Sequence, residues 1–95
     1  MGHSYEFTPA CAKDLYKLRK NYDLLHSITV EHVPAILKDP YEAGEKKKGN
    51  LADVRARNIK VRNVAYRLIY RIEDDVILFV ALGPHDAAYT RASRR

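Results

Sequence analysis

The chain has 95 residues, enough for one small domain around a single core and too few for two. Hydrophobic residues make up 46%, and no apolar run approaches the ~18–20 residues that a membrane span needs, so no membrane partner is expected. The net charge of +5, with a pI near 9.4, favours an anionic partner.

Gly2-His3 reads as a cloning remnant, and the first ordered element is a short strand over Ser4–Phe7. There Tyr5 and Phe7 alternate with Ser4 and Glu6. Thr8 is then a good N-cap with Pro9 at the first helical position, where its missing N–H costs nothing. Leu15, Leu18 and Cys11 share one face of the helix that follows, through about Lys20, while Lys13, Lys17 and Lys20 are spaced for the solvent side. A second helical pattern places Leu25, Ile28, Val33, Ile36 and Leu37 inward. Pro34 interrupts it, which predicts a kink near residues 30–33 or a fresh helix start, and Asp39-Pro40 ends it.

Residues 41–50 form a charged loop closed by Gly49-Asn50, and from Leu51 onward the period is two. Lys60 and Arg62 point one way and Ile59 and Val61 the other. Arg55 and Arg57 share the phase of Ile59, which predicts a bulge or bend near residues 57–58. In residues 64–72, Tyr66, Leu68, Tyr70 and Ile72 share one face, and Arg67, Ile69 and Arg71 share the other. Residues 76–82 are apolar throughout and read as a central strand buried on both faces. Residues 87–92 form a candidate terminal helical turn. The order β-α-α-β-β-β, with helices on one side of a mostly antiparallel sheet, is an α+β fold in one domain.

Charge is unevenly distributed. Residues 46–71 hold Lys46, Lys47, Lys48, Arg55, Arg57, Lys60, Arg62, Arg67 and Arg71 against Asp53 alone. That is a local +8, leaving −3 for the remainder. Solubility would be served by interspersed signs, so a nucleic-acid surface is the leading explanation and an acidic protein the second. Cys11, the single cysteine, excludes an internal disulfide and a cysteine-based zinc cluster. No dense His/Asp/Glu set, Walker loop or GxGxxG fingerprint is present, so neither metal nor cofactor is expected.

Lys60, Arg62 and Arg67 are expected on the face away from the helices, where an arginine fork can grip a phosphate. A solvated β-face also carries long charged side chains, but Arg67 and Arg71 lie on the inner strand of a hairpin, where a cation needs an anionic partner. His85 follows a strand and Gly83-Pro84, where a scaffold presents functional groups, and an imidazole suits proton transfer near neutrality. Tyr89, four residues on, either stacks on a base, donates its hydroxyl or seals the core. Lys46-Lys47-Lys48 is a solvated loop run able to steer an RNA. His26 and His32 are structural or solvent-exposed.

Taken together, these residues resemble the RelE branch of the RelE/ParE toxin superfamily. The matching segments are Phe7-Thr8-Pro9 with Leu15-Tyr16-Lys17-Leu18, Leu37-Lys38-Asp39-Pro40, Lys48-Gly49-Asn50-Leu51, the strand Tyr66-Arg67-Leu68-Ile69-Tyr70, and residues 83–89. The Tyr-Arg-hydrophobic-hydrophobic-Tyr strand is the most specific of them. The resemblance implies a RelE-like microbial ribonuclease fold and a cognate antitoxin that covers the basic face with an acidic or amphipathic segment. It implies mRNA cleavage at the ribosome by attack of the ribose 2′-hydroxyl on the adjacent phosphate, without metal, and contact with operator DNA only through the antitoxin.

Residue by residue, the resemblance gives Lys60 the activation of the 2′-hydroxyl or charge stabilisation, and Arg67 the scissile phosphate. It gives His85 the proton for the 5′-oxygen leaving group, and Tyr89 the stacking or orientation of substrate. Arg62 is a further phosphate contact, with Arg55, Arg57, Arg71 and the lysine run as wider RNA-binding cations. Asn58 departs from the pattern, standing where the ribosome-dependent archetype has a second lysine; more of the proton transfer then falls on His85, or activity is lower. Two other readings stand beside the nuclease: a ParE-like toxin that inhibits DNA gyrase by binding, and a basic RNA-binding module without catalysis.

Overall fold

Ser4–Phe7 forms strand β1, and its last residue hands the chain to a capped helix. The computed structural model describes residues 3–47 and 53–84. Helix α1 spans Pro9–Lys17; the Thr8 hydroxyl accepts the N–H of Cys11 at 3.2 Å, as the Thr-Pro signal predicts. Asn21 caps the next helix, α2 (Tyr22–Ser27), by accepting the N–H of Leu24, and its amide also donates to the Tyr66 hydroxyl.

Pro34 has the effect its sequence position predicts. A π-helical turn over Ile28–His32 connects α2 to helix α3 (Val33–Lys38), with the N–H of Val33 donating to the carbonyl of Ile28, five residues back. A proline cannot donate to the preceding turn, and widening that turn absorbs the mismatch without ending the helical run.

Beyond the loop, a two-residue strand β2 (Glu45–Lys46) is followed by β3 (Asp53–Val61), β4 (Val64–Glu73) and β5 (Val76–Pro84). The sheet order is β1-β5-β4-β3-β2, with β1 parallel to β5 and every other pair antiparallel. The apolar strand β5 therefore lies inside the sheet, between β1 and β4. Helices cover one face, where Cys11, Leu24, Ile28 and Ile36 pack against Ile59, Leu68, Tyr70, Phe79 and Leu82. A smaller cluster of Ala56, Ile69 and Ala81 is buried on the other face. No helix among the described residues is long and apolar enough to cross a membrane.

Two strand expectations are corrected. First, β3 pairs with β4 in unbroken register from Asp53↔Ile72 to Val61↔Val64, so residues 57–58 carry no bulge. The irregularity lies in β5, where Ile69 pairs with Ala81 and Tyr70 with Phe79, leaving Val80 as an extra residue. Before it, Ile77 and Phe79 face the helices; after it, Leu82 does, so Ala81 and Gly83 turn to the second face. Second, Arg62 is not part of β3. Arg62 (φ 51) and Asn63 (φ 66) form the two-residue turn between β3 and β4, the positive-φ pair that matches the twist of a hairpin. The expected helical turn at residues 87–92 lies outside the described residues.

Candidate nucleic-acid interface and catalytic face

The register of β3 against β4 sets which cations share a face. Asn58 lies directly opposite Arg67, Lys60 opposite Ala65, and on the other side of β4 Gly83 lies opposite Arg67. Side chains opposite one another across a ladder point to the same face, and diagonal neighbours sit roughly 7–8 Å apart. Lys60 and Arg67 are therefore diagonal partners on the face away from the helices, as expected. Lys60 and Asn58 are exposed and Arg67 is half-buried. Gly83 places no side chain beside Arg67, and it reaches that row only because Val80 shifts the phase of β5.

The other cations are placed elsewhere. Arg55 and Arg57 keep the phase of Ile59 and turn toward the helix side, where they hold the loop before β2. Arg55 donates to Asp53 and to the carbonyls of Tyr41 and Gly44, with its guanidinium 5.2 Å from the centre of the Tyr41 ring. Arg57 donates one N–H to the carbonyl of Ala43 at 2.8 Å and its Nε–H to Nδ1 of His32 at 2.8 Å. Both arginines, expected as wider RNA-binding cations, are held here by loop carbonyls, a carboxylate and an imidazole. Arg71, four residues beyond Arg67 on β4, is ion-paired with Glu73. Arg62, expected on the second face, sits at the hairpin tip and pairs with Asp23 at 2.5 Å.

Lys46 is exposed on β2 opposite Arg55, five residues along β3 from Lys60, or about 17 Å at ~3.3 Å per residue. Lys47 follows, its N–H donating to the carbonyl of Val54. Lys46 and Lys47 thus do not converge with Lys60 and Arg67. Lys48, His85 and Tyr89 lie outside the described residues; β5 ends at Pro84, the residue before His85.

Three buried polar groups escaped the sequence reading as anchors. His32 is buried and accepts from Arg57. Burial lowers its pKa, as does the adjacent Arg57 cation, while Glu31 opposes them weakly. Asp14 is buried on α1 and accepts the N–H of Leu82 at 3.1 Å. A signal for it existed, because Asp14 stands three residues after Cys11 and four before Leu18, both on the inward face. Tyr70 donates its hydroxyl to the carbonyl of Pro40 at 2.7 Å, and burial pushes its pKa up to about 12, so it remains a donor.

Residues 6–92 match the family described as ParE-like toxin of type II bacterial toxin–antitoxin systems. The chain belongs to this family. No curated protein matches it in sequence. Among solved structures, this toxin-family chain is similar to a free-state double arginine-to-alanine mutant of the toxin RelE from E. coli. The two share 25% identity and a TM-score of 0.69, over 100% of this chain and 98% of that one. It is also similar to a chain of the toxin–antitoxin complex RelBE2 from Mycobacterium tuberculosis, at 20% identity and a TM-score of 0.65. That match covers 90% of this chain and 100% of the other, and it shows the fold. The expected α+β toxin fold and RelE/ParE membership are thereby established for this chain.

Proposed function

We propose that this toxin is an endoribonuclease that cleaves mRNA at the ribosome in the cytoplasm, without a metal ion, and so arrests translation and growth. The observation that carries the reading is the diagonal pairing of Lys60 with Arg67 on one face, beside Gly83, at the end of the sheet from which the chain continues to His85. The likeness to RelE supports it.

Arg67 would hold the scissile phosphate through its guanidinium fork, and Lys60 would take the 2′-hydroxyl proton or neutralise the developing charge. The 2′-oxygen then forms a bond to phosphorus as the bond from phosphorus to the 5′-oxygen breaks. His85 donates a proton to that leaving oxygen, and Tyr89 orients the substrate by stacking. Asn58, opposite Arg67, offers amide hydrogen bonds but no second cation. The products are a 2′,3′-cyclic phosphate and a free 5′-hydroxyl.

Primer extension on translated mRNA tests the assignment. His85→Ala should lower cleavage by about 10²–10⁴-fold, the usual contribution of a general acid, and relieve growth arrest. Full cleavage by the variant would sink the role given to His85.

A cognate antitoxin is the proposed partner, in line with the toxin–antitoxin complex among the similar structures. Its acidic or amphipathic segment would cover the face of Lys60 and Arg67, so complex formation should suppress cleavage. The family description favours a second reading, a ParE-like toxin that binds and inhibits DNA gyrase without cutting RNA. Inhibited supercoiling together with intact translated mRNA would establish that alternative.

A further inference from the structure

At the β2 edge of the sheet, beside the face of Lys60 and Arg67, lies a shallow cavity of about 400 Å³ walled by Glu42, Gly44, Glu45, Ala56, Arg57 and Asn58. That volume falls within the usual range for small-molecule sites, about 300–1,000 Å³. Glu45 pairs with Ala56 across the ladder, and Asn58, two residues further along β3, lies directly opposite Arg67. Opposed residues share a face, as do residues two apart on a strand, so Glu45, Asn58 and Arg67 lie on one surface. The backbones of Arg67 and Glu45 are two strands and two residues apart, about 12 Å at ~4.8 Å per strand and ~3.3 Å per residue. One nucleotide spans that gap with its phosphate at Arg67 and its base in the cavity.

The loop wall of the cavity is held in place. The N–H of Glu42 donates to the carboxylate and the carbonyl of Asp39, and Arg55 and Arg57 donate to the carbonyls of Gly44 and Ala43. Tyr70 lies against Gly44. Arg57 commits its Nε–H to His32 and an NH1 to Ala43, and the exposed polar side chains around the cavity are Glu42, Glu45 and Asn58.

We propose that this cavity reads a base, selecting guanine next to the scissile phosphate, with Glu45 accepting the N1–H and N2–H of guanine and the Asn58 amide donating to its O6; this rests on the reading of the toxin as a ribonuclease. Carboxylates beside a bound phosphate chain repel it, so their place here is favourable only if they meet donors. An ionised carboxylate accepts and never donates. Guanine alone among the four bases presents two adjacent N–H donors on its pairing edge, which match the two oxygens of one carboxylate. Adenine and cytosine set their amino group beside an acceptor nitrogen that a carboxylate repels, and uracil has a single N–H between two carbonyls. Glu45 and Asn58 are diagonal neighbours, roughly 7–8 Å apart, which puts a carboxylate and an amide at the two ends of a purine edge. Unstacked bases of a single strand are read on this edge.

Primer extension on translated mRNAs tests the inference, through the ratio of cutting beside guanine to cutting beside adenine. Wild type should favour guanine by roughly 10–100-fold, the discrimination that one bidentate base contact supplies. Glu45→Gln sets an amide N–H against the donors of the base and should bring the ratio close to one. Glu45→Asp retains the carboxylate and should keep a preference for guanine. Lost stability does not imitate this pattern, because unfolding lowers cutting at all sites alike. A wild-type ratio near one, or an unchanged ratio in Glu45→Gln, would overturn the inference and leave the ribonuclease reading standing. An unchanged ratio with lost antitoxin binding would make the cavity a protein-docking site instead. Wild-type toxin that cuts no mRNA would overturn the ribonuclease reading, and the base pocket with it.

Discussion

Asp14 Oδ2 accepts the N–H of Leu82 at 3.1 Å, tying α1 to β5 across 68 residues of sequence, two residues after the extra residue Val80. The bond fixes the segment whose changed phase brings Gly83 alongside Arg67. A buried carboxylate thus acts on the face of Lys60 and Arg67, the proposed cleavage face, from the opposite side of the sheet. Asp14→Ala removes this acceptor from a buried N–H and should cost about 1–3 kcal/mol, read as a lower urea midpoint at unchanged slope. Asp14→Asn keeps an acceptor oxygen and should cost less. Equal stability of the alanine variant and wild type would show that the bond holds nothing.

His32 predicts an acid-sensitive fold. Its Nδ1 accepts from Arg57, so the ring is neutral in the folded protein, and burial and the Arg57 cation hold its pKa below the ordinary 6.5. Between the folded and unfolded pKa values the unfolded chain binds more protons. The stabilisation is therefore complete above about pH 6.5 and is lost as pH falls through the folded pKa. His32→Gln, which keeps an acceptor that does not titrate, should flatten the dependence of urea midpoint on pH between about 7.5 and 5. An unchanged dependence would remove His32 as its source.

Gly44 is required by contact with Tyr70. A Cβ added there would lie 2.4 Å from the Tyr70 hydroxyl oxygen, the group that donates to Pro40. Gly44→Ala should therefore destabilise by about 1–3 kcal/mol through overpacking. Tyr70→Phe leaves the Pro40 carbonyl without this donor and should cost a similar amount. Removing the hydroxyl also partly relieves the clash with a methyl group added at Gly44. The double variant should therefore be more stable than the sum of the single losses predicts. Strict additivity in urea unfolding would contradict the shared contact.

The cations should separate into two experimental classes. Arg57→Ala removes bonds to His32 and Ala43 and should lower stability by about 1–3 kcal/mol, with RNA cleavage per folded molecule unchanged. Lys60→Ala, at an exposed position, should leave the urea midpoint within about 0.5 kcal/mol of wild type and reduce cleavage. Asn58→Lys sets a like charge directly opposite Arg67, so it should cost up to about 1 kcal/mol while raising cleavage. Cleavage that fell with Arg57 and not with Lys60 would reverse the assignment.

Local patterns in the sequence determined much of this protein. Thr8-Pro9 starts α1, Pro34 disturbs the second helical run, and alternation in residues 64–72 sends Tyr66, Leu68 and Tyr70 to the helices and Arg67 to the opposite face. These follow because capping, proline geometry and period-two patterning act over a few residues. The family resemblance was legible in the same segments. Tertiary structure alone decided where most of the cations work. Arg57 meets a histidine 25 residues away, Arg55 and Arg57 meet carbonyls 11 to 14 residues away, and Arg62 meets Asp23 across the hairpin tip. A long charged side chain has no fixed partner in sequence; its role depends on which acceptors the folded chain brings within reach. The extra residue in β5 is of the same kind: an all-apolar strand carries no alternation to reveal a change of phase, and the packing of both faces decides it.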